Sequence, residues 1–162
     1  MQKMKLFLLV LLVGILSLLF IGQLPAEEPG GNLTPEGYWK TIDDKTGEVK
    51  SIVKIWVVED GTLKGRIEKI FPKEGEDPNP KCDKCKGDKK DQPVLGMEFL
   101  WGFKGAGPVW KNGKVLDPEN GKIYSCQLEV IENGKKLKVF GYIRIIFKIG
   151  RSQIWLREPV DQ

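Results

Sequence analysis

Residues 117–157 read DPENGKIYSCQLEVIENGKKLKVFGYIRIIFKIGRSQIWLR. Three runs rich in β-branched and aromatic residues are separated here by Asn133-Gly134 and Ile149-Gly150, a pattern that predicts consecutive antiparallel strands joined by tight turns. A three-stranded ribbon by itself would leave an apolar face in water. The preceding residues must therefore supply the other strands of a sheet that closes or folds over on itself.

The amino-terminal segment has the order of a secretory signal peptide. Lys3 and Lys5 precede an unbroken apolar run over 6–21, and Ala26 supplies a small residue at the expected cleavage point. We therefore interpret residues 1–26 as a signal peptide and expect a periplasmic or secreted protein with no stable membrane span. An uncleaved anchor is the alternative, because the apolar run approaches the roughly 17 to 25 residues that cross a bilayer.

Composition argues against several functional classes. The chain of 162 residues has 26 basic and 22 acidic residues; removing residues 1–26 takes away two lysines, which leaves 24 against 22 and a net charge of +2. Because the charges are interleaved without a polybasic block, we expect no nucleic-acid partner. The chain has no histidine, the commonest general base and metal ligand, and we predict neither a metal nor a cofactor.

The rest of the chain reads as short strands separated by turn residues. Residues 27–35 predict a flexible leader, and residues 36–160 a single domain. Strands are predicted over 37–42, 48–58 and 62–71, a short hairpin over 109–116, and either a strand or a short helix over the apolar segment 94–103. The total of seven to nine strands without a convincing helix predicts an all-β sandwich or barrel.

A long irregular segment, 72–93, interrupts this pattern and contains Cys82 and Cys85; the third cysteine is Cys126. In an exported chain the cysteines predict one disulfide, which leaves three pairings open and one thiol over. A zinc site is less favoured because no histidine completes it. Redox activity is also less favoured, because the Cys-x-x-Cys motif lies in a proline-rich loop and not at the start of a helix.

The last predicted strand offers two orientations. Alternation places Arg151, Gln153, Trp155 and Arg157 on one face and Ser152, Ile154 and Leu156 on the other. If Ile154 and Leu156 point inward, the arginines form a solvated outer face. If the opposite face points inward, the interior presents cationic and aromatic groups that can hold an anionic head group.

Trp39 near the start of the domain and Arg157 near its end resemble the pair that closes lipocalin barrels, in which a guanidinium covers an indole face. A wider resemblance covers residues 37–157. The motifs, in order, are GYWKT, DDKTG, DGTLKGRI, CDKCKGD, LDPENGKIYSC and GRSQIWLR. They are similar to those of the bacterial domain of unknown function 2147 family. This resemblance implies an exported, lipocalin-like, antiparallel up-and-down β-barrel of about eight strands, and implies little about activity. The family commonly has Arg where this chain has Phe140, so an anion site at that position is not expected.

We therefore expect a non-catalytic protein that holds an apolar or amphipathic, lipid-like small molecule in its barrel. The predicted lining residues are Trp56, Trp101, Tyr124, Tyr142, Gln153, Trp155 and Arg157, with Trp39 and Arg157 in a structural role. The alternative is a cell-envelope interaction module with a filled barrel that docks a partner protein through the 72–93 loop. An enzyme is least favoured, because no nucleophile–base or paired-acid arrangement is recognisable.

Overall fold

The computed structural model describes residues 32–159, which form a closed antiparallel β-barrel of eight strands. The strands are β1 (Gly37–Ile42), β2 (Val49–Val57), β3 (Leu63–Ile70), β4 (Glu98–Ala106), β5 (Val109–Asp117), β6 (Lys122–Ile131), β7 (Lys136–Arg144) and β8 (Lys148–Glu158). Each strand pairs with the next along the chain, and β8 pairs with β1. The predicted fold class is confirmed. The predicted signal peptide lies outside the described residues.

Helical structure within residues 32–159 is limited to one turn of 3-10 helix over Gly87–Lys89. In that same range, no helix has the length and apolar character needed to cross a membrane.

The two ends of the barrel carry different connections. At the end where β1 begins and β8 finishes, which we call the lower end, the strands are joined by the short segments 58–62, 107–108 and 132–135. The opposite, upper end carries the turns 43–48, 118–121 and 145–147 and the long loop 71–97.

Apolar side chains fill the lower half of the barrel. The side chains of Trp39, Leu63, Phe103, Leu128 and Leu137 have 0% of their surface exposed. They would retain accessible surface if they lined a cavity large enough for water, so they pack against one another without such a void. Gly113 fits this packing because a Cβ there would lie 2.3 Å from the Phe103 ring.

Residues 109–117 form one strand, β5, and the predicted hairpin over 109–116 is wrong. Asn112 has a φ of 61°, and the register with β6 shifts between Trp110 and Gly113. The Asn-Gly pair therefore makes a β-bulge, in which an extra residue bends the strand without reversing it. The apolar segment 94–103, for which strand and helix both fitted, contributes most of its residues to β4.

The turn between β7 and β8 also differs from the prediction. The sequence placed it at Ile149-Gly150, whereas the chain reverses over 145–147 and β8 already begins at Lys148. Gly150 is required by close packing and not by a turn, since a Cβ there would lie 2.1 Å from the carbonyl oxygen of Gly141.

The described part of the predicted flexible leader is bound to the barrel. Pro35 is fully buried at the lower end, and its carbonyl oxygen accepts a hydrogen bond of 2.7 Å from Trp39 Nε1. The carbonyl oxygens of Asn32 and Thr34 accept hydrogen bonds from Arg157. The prediction of a flexible leader is therefore wrong for residues 32–35.

The long loop is cross-linked within itself and docks on the upper end of the barrel. Cys82 and Cys85 form a disulfide with a Cα–Cα distance of 5.3 Å. The loop then docks on the 118–121 turn: Lys84 Nζ donates to the carbonyl oxygen of Glu119 at 3.0 Å. Gly121 permits this approach, because a Cβ there would lie 1.9 Å from the carbonyl oxygen of Lys84.

Candidate functional site

The lower end is closed by a clasp of Arg157 on Trp39. These two residues are register partners across β1 and β8, and the guanidinium carbon lies 4.1 Å from the centre of the indole ring. The guanidinium also donates to the backbone carbonyl oxygens of Asn32, Thr34, Glu36 and Gly134. Burial lowers the pKa of Arg157 below its usual value. All of these partners are structural, and they use four of the five N–H donors of this side chain.

Strand β8 turns its Arg/Gln/Trp face toward the barrel interior. Trp155 is 3% exposed and pairs in register with the buried Leu137, whereas Ile154 and Leu156 are each 38% exposed on the outer wall. Alternation places Gln153 and Arg151 on the same face as Trp155. Of the two predicted orientations, the one with Ile154 and Leu156 inside is therefore wrong.

The upper half of the interior is more open than the lower half. Gly141 faces inward, opposite Cys126 of β6, and a Cβ placed on it would meet only Val115 Cγ1, at 3.8 Å. At Gly113 in the lower half the same test gives an overlap with Phe103. The interior therefore has room for at least a methyl group at Gly141, in contrast to Gly113.

The boundary between the two halves is aromatic. The ring centres of Phe99 and Trp155 are 6.3 Å apart. Trp155 Nε1 donates a hydrogen bond of 3.3 Å to Gln153 Oε1, so the indole turns its polar edge toward the upper half. An apolar group that entered from above would rest on these two rings.

Polar groups surround the upper opening. The hydroxyl oxygens of Thr41 and Ser51 lie 2.7 Å apart on the inward faces of β1 and β2. On β6, the hydroxyl oxygen of Tyr124 accepts a hydrogen bond of 3.3 Å from Asn120 Nδ2. With Gln153, these groups supply donors and acceptors above an apolar floor, as in pockets that orient a ligand by a few polar contacts.

An ion pair spans the weakest part of the barrel wall. Strands β1 and β8 are paired only through Leu156–Glu158, so the upper part of β8 lacks a ladder to β1. Above this gap, Arg151 forms a salt bridge with Asp44 in the 43–48 turn, and its side chain is 70% exposed. An accessible cation therefore stands beside the upper opening.

Three predicted lining residues lie on the outer wall. Trp56 is covered by Arg66, whose guanidinium carbon is 5.8 Å from the indole centre, and Trp101 pairs in register with the exposed Lys114. Tyr142 stacks on the outward-facing Phe140 with ring centres 5.2 Å apart. Their predicted position inside the barrel is corrected accordingly. Tyr124, Gln153 and Trp155 face inward as expected, and Arg157 faces inward only at the lower clasp.

Sequence reasoning missed Phe99, Gly141 and Arg151 as residues of the upper half. Phe99 is placed there by a register shift between β3 and β4, for which the sequence has no clear marker. Gly141 could have been identified from the sequence, since an isolated glycine within a strand often marks a site where a ligand or another backbone segment approaches closely. Arg151 lay on the correct face of β8 but was left out of the predicted lining.

Cys126 is the free thiol, and it lies inside the barrel with 0% exposure. Burial raises the pKa of this thiol to about 12, and a weak contact with the carbonyl of Gln127 does not offset that effect. A thiol with such a pKa stays protonated at neutral pH and is a poor nucleophile.

A shallow depression of about 160 Å³ lies on the outer wall around Phe140, lined also by Gln127, Glu129, Lys138 and Ser152. It is smaller than the roughly 300 to 1,000 Å³ of typical ligand pockets. We therefore centre the candidate site on the upper half of the interior.

Comparisons with known proteins agree with this architecture. A family model described as "Uncharacterized protein conserved in bacteria (DUF2147)" matches residues 37–157. Among solved structures, the chain resembles the protein HP1028 of the human pathogen Helicobacter pylori, which is described as belonging to the lipocalin family. The TM-score is 0.65 at 18% sequence identity, over 78% of this chain and 84% of that one. The curated proteins contain no match.

Proposed function

Since the chain belongs to the bacterial domain of unknown function 2147 family and folds as a lipocalin-like barrel, we propose that it binds a small amphipathic molecule in the upper half of the barrel, as a carrier and not as an enzyme. The observation that carries this proposal is the inward orientation of the Arg151–Gln153–Trp155 face of β8. It puts a cation, an amide and an indole on one side of the open half.

The proposed ligand is short and has an anionic head. Its apolar part lies on Phe99 and Trp155 and occupies the space beside Gly141. Its head reaches the opening, where Arg151 exchanges Asp44 for the ligand's anion and Gln153 donates a hydrogen bond. Because the lower half is filled, a long acyl chain does not fit entirely inside, and medium-length chains bind best.

The localisation that suits such a carrier is the cell envelope or the extracellular medium. We propose that residues 1–26 are removed as a signal peptide, so that the mature chain begins at Glu27 and residues 36–160 act as one periplasmic or secreted domain. Sequencing the amino terminus of the protein isolated from its own cells tests this; an intact Met1 would replace the signal peptide with an anchor.

The alternative, a partner protein docked through the 72–93 loop, receives support from the filled lower half alone. It also requires an exposed apolar patch beside the cysteine loop. Within the described residues of the loop 71–97, however, the large apolar side chains above one third exposure are Phe71 and Leu95. The larger exposed apolar group lies on the β7–β8 turn instead.

The experiment pairs native mass spectrometry with calorimetry. Protein purified from its own envelope is weighed before and after organic extraction, and the extracted protein is then titrated with decanoate. We expect a removable extra mass and one bound decanoate per chain. Gly141→Leu, which fills the upper space, and Arg151→Ala should each weaken decanoate binding at least tenfold.

Lys138→Ala is the matched control, because Lys138 is a cation on the outer wall. It should leave decanoate binding within twofold of the unmodified protein. Protein that carries no extra mass and takes up no decanoate would overturn the proposal. So would normal binding by Gly141→Leu, since the ligand would then lie elsewhere.

A further inference from the structure

The turn between β7 and β8 is built from residues that turns normally avoid. It consists of Ile145, Ile146 and Phe147, which are 70%, 93% and 67% exposed. Tight turns favour Gly, Asn, Asp, Pro and Ser, because these tolerate the backbone and hydrate well. Ile143 and Ile149, at the adjoining strand ends, are 48% and 49% exposed. We call residues 143–149 the hairpin tip.

The hairpin tip is unpaired from the strands on either side of it. The pairing of β7 with β6 ends at Tyr142, opposite Ser125, whereas β7 and β8 stay paired up to Arg144 and Lys148. On the other side, β1 pairs with β8 only from Leu156 onward. The tip is therefore a two-stranded ribbon whose two edges are unpaired, and its turn residues are exposed and not recessed in a groove.

The charges on the parts of β7 and β8 that carry the hairpin tip have one sign, although Asp44 of the 43–48 turn pairs with Arg151 behind it. Residues 133–157 contain no Asp or Glu. Arg144 and Lys148 flank the apolar turn on the two strands, and within the described residues neither forms an ion pair with a carboxylate. The Lys148 ammonium lies 4.5 Å from the centre of the Tyr142 ring, one step behind the turn.

This order of groups matches the depth profile of a membrane surface. Apolar side chains at the end of a projection can enter the boundary between head groups and acyl chains, while cations one step behind lie at the level of the phosphates. Long basic side chains keep their charge in that layer while their stems remain in apolar surroundings. Protein–protein interfaces, in contrast, are depleted in lysine relative to the rest of the protein surface.

We propose that the hairpin tip docks the barrel on lipid bilayers that contain anionic lipids. The inference goes beyond ligand binding and stands without it. It also has a consequence for orientation: the tip lies at the upper end, so docking turns the open half of the barrel toward the lipid.

The test is co-sedimentation of the chain from Glu27 onward, which contains the complete closed barrel. The vesicles hold about one third phosphatidylglycerol in phosphatidylcholine, with pure phosphatidylcholine vesicles for comparison. We expect at least tenfold stronger binding to the anionic vesicles, weakened by added salt because exposed charges are screened. The double substitution Ile146→Ser with Phe147→Ser should abolish binding.

Two further variants separate the contributions. Arg144→Gln with Lys148→Gln should reduce binding to anionic vesicles about tenfold and remove its salt dependence. Leu95→Ser, which changes an exposed apolar residue of the long loop, is the matched control and should bind normally. All three variants alter exposed side chains, and thermal unfolding verifies that the barrel is intact.

Some outcomes would overturn the proposal. The first is failure of the unmodified protein to bind anionic vesicles. The second is unchanged binding by the Ile146→Ser, Phe147→Ser variant. The third is a protein that ignores vesicles but elutes as a dimer that this variant converts to a monomer, which would make the tip a contact between two copies of the chain.

Discussion

Arg157 is the residue on which closure of the barrel depends most. Its guanidinium covers Trp39 and donates to four backbone carbonyls from residues 32–36 and the 132–135 turn. Arg157→Ala should lower the free energy of unfolding by about 2 to 4 kcal/mol, because the carbonyls lose a charged donor and the ring its cation. Arg157→Lys should recover less than half, since an ammonium cannot reproduce the planar fork.

Urea unfolding measures both variants of Arg157. Arg151→Ala is the control, because Arg151 is largely exposed and its ion pair is solvated, so stability should change by less than about 0.5 kcal/mol. The two substitutions should therefore have different effects. Arg157→Ala should unfold at lower urea concentration but keep its affinity for decanoate when folded, whereas Arg151→Ala should keep its stability and lose affinity for decanoate. Equal stability of Arg157→Ala and the unmodified protein would refute the clasp.

Cys126 predicts a pH dependence with a defined sign. The pKa of its thiol is raised from 9.0 to about 12 by burial, so the unfolded chain releases this proton at lower pH than the folded one. The associated stability is complete below about pH 9 and is lost as the pH rises toward 12. Relative to Cys126→Ala, the free energy of unfolding should fall by about 2 to 3 kcal/mol at about pH 11.

Denaturant unfolding of both proteins from about pH 8 to pH 11 tests this prediction. Tyrosine and lysine titration affects the two chains alike, so the difference between their curves isolates the thiol. Parallel curves over the whole range would show that Cys126 does not ionise on unfolding in the expected window. A thiol reagent should also react with the folded protein far more slowly than with the unfolded chain.

At the scale of the strand, the sequence predicted where strands occur better than it predicted which of their side chains point into the barrel. All eight strands fall where β-branched and aromatic runs occur, because the length and composition of a strand are local properties. The orientation of a side chain can be predicted from the local sequence only where one face of the strand is polar and the other is apolar. Trp56 lies in the run Ile55-Trp56-Val57, which is apolar on both sides, so alternation could not show that the indole faces outward.

Bulges account for most of the remaining differences. Register shifts occur on β3–β4 and on β5–β6, and each one reverses the facing of every residue that follows. The shift on β5–β6 accounts for the wrong hairpin prediction around Asn112, and the shift on β3–β4 accounts for the absence of Phe99 from the predicted lining. The position of the β7–β8 turn was predicted wrongly for a different reason, because the local composition of residues 145–147 favours a strand. Such a conflict between composition and structure is expected where a segment serves a function.

On the scale of the whole molecule, the barrel divides into a lower half that is filled by apolar side chains and an upper half in which we propose that a ligand binds. The space around two inward-facing glycines, Gly113 and Gly141, differs between the two halves. A Cβ at Gly113 would overlap the Phe103 ring at 2.3 Å, while one at Gly141 would touch only Val115 at 3.8 Å. Neither glycine has a positive φ, so alanine at either position tests space and not backbone strain.

The division predicts opposite results for the same small substitution. Gly113→Ala should reduce the free energy of unfolding by about 1 to 3 kcal/mol, because a ring in a close-packed core cannot move aside without displacing its neighbours. Gly141→Ala should be neutral or stabilise by up to about 1 kcal/mol, since it restricts the unfolded chain and meets open space. Urea unfolding of the two variants compares them directly. Equal losses at both positions would mean that the upper half is packed as tightly as the lower half, and a ligand would then have no room inside the barrel.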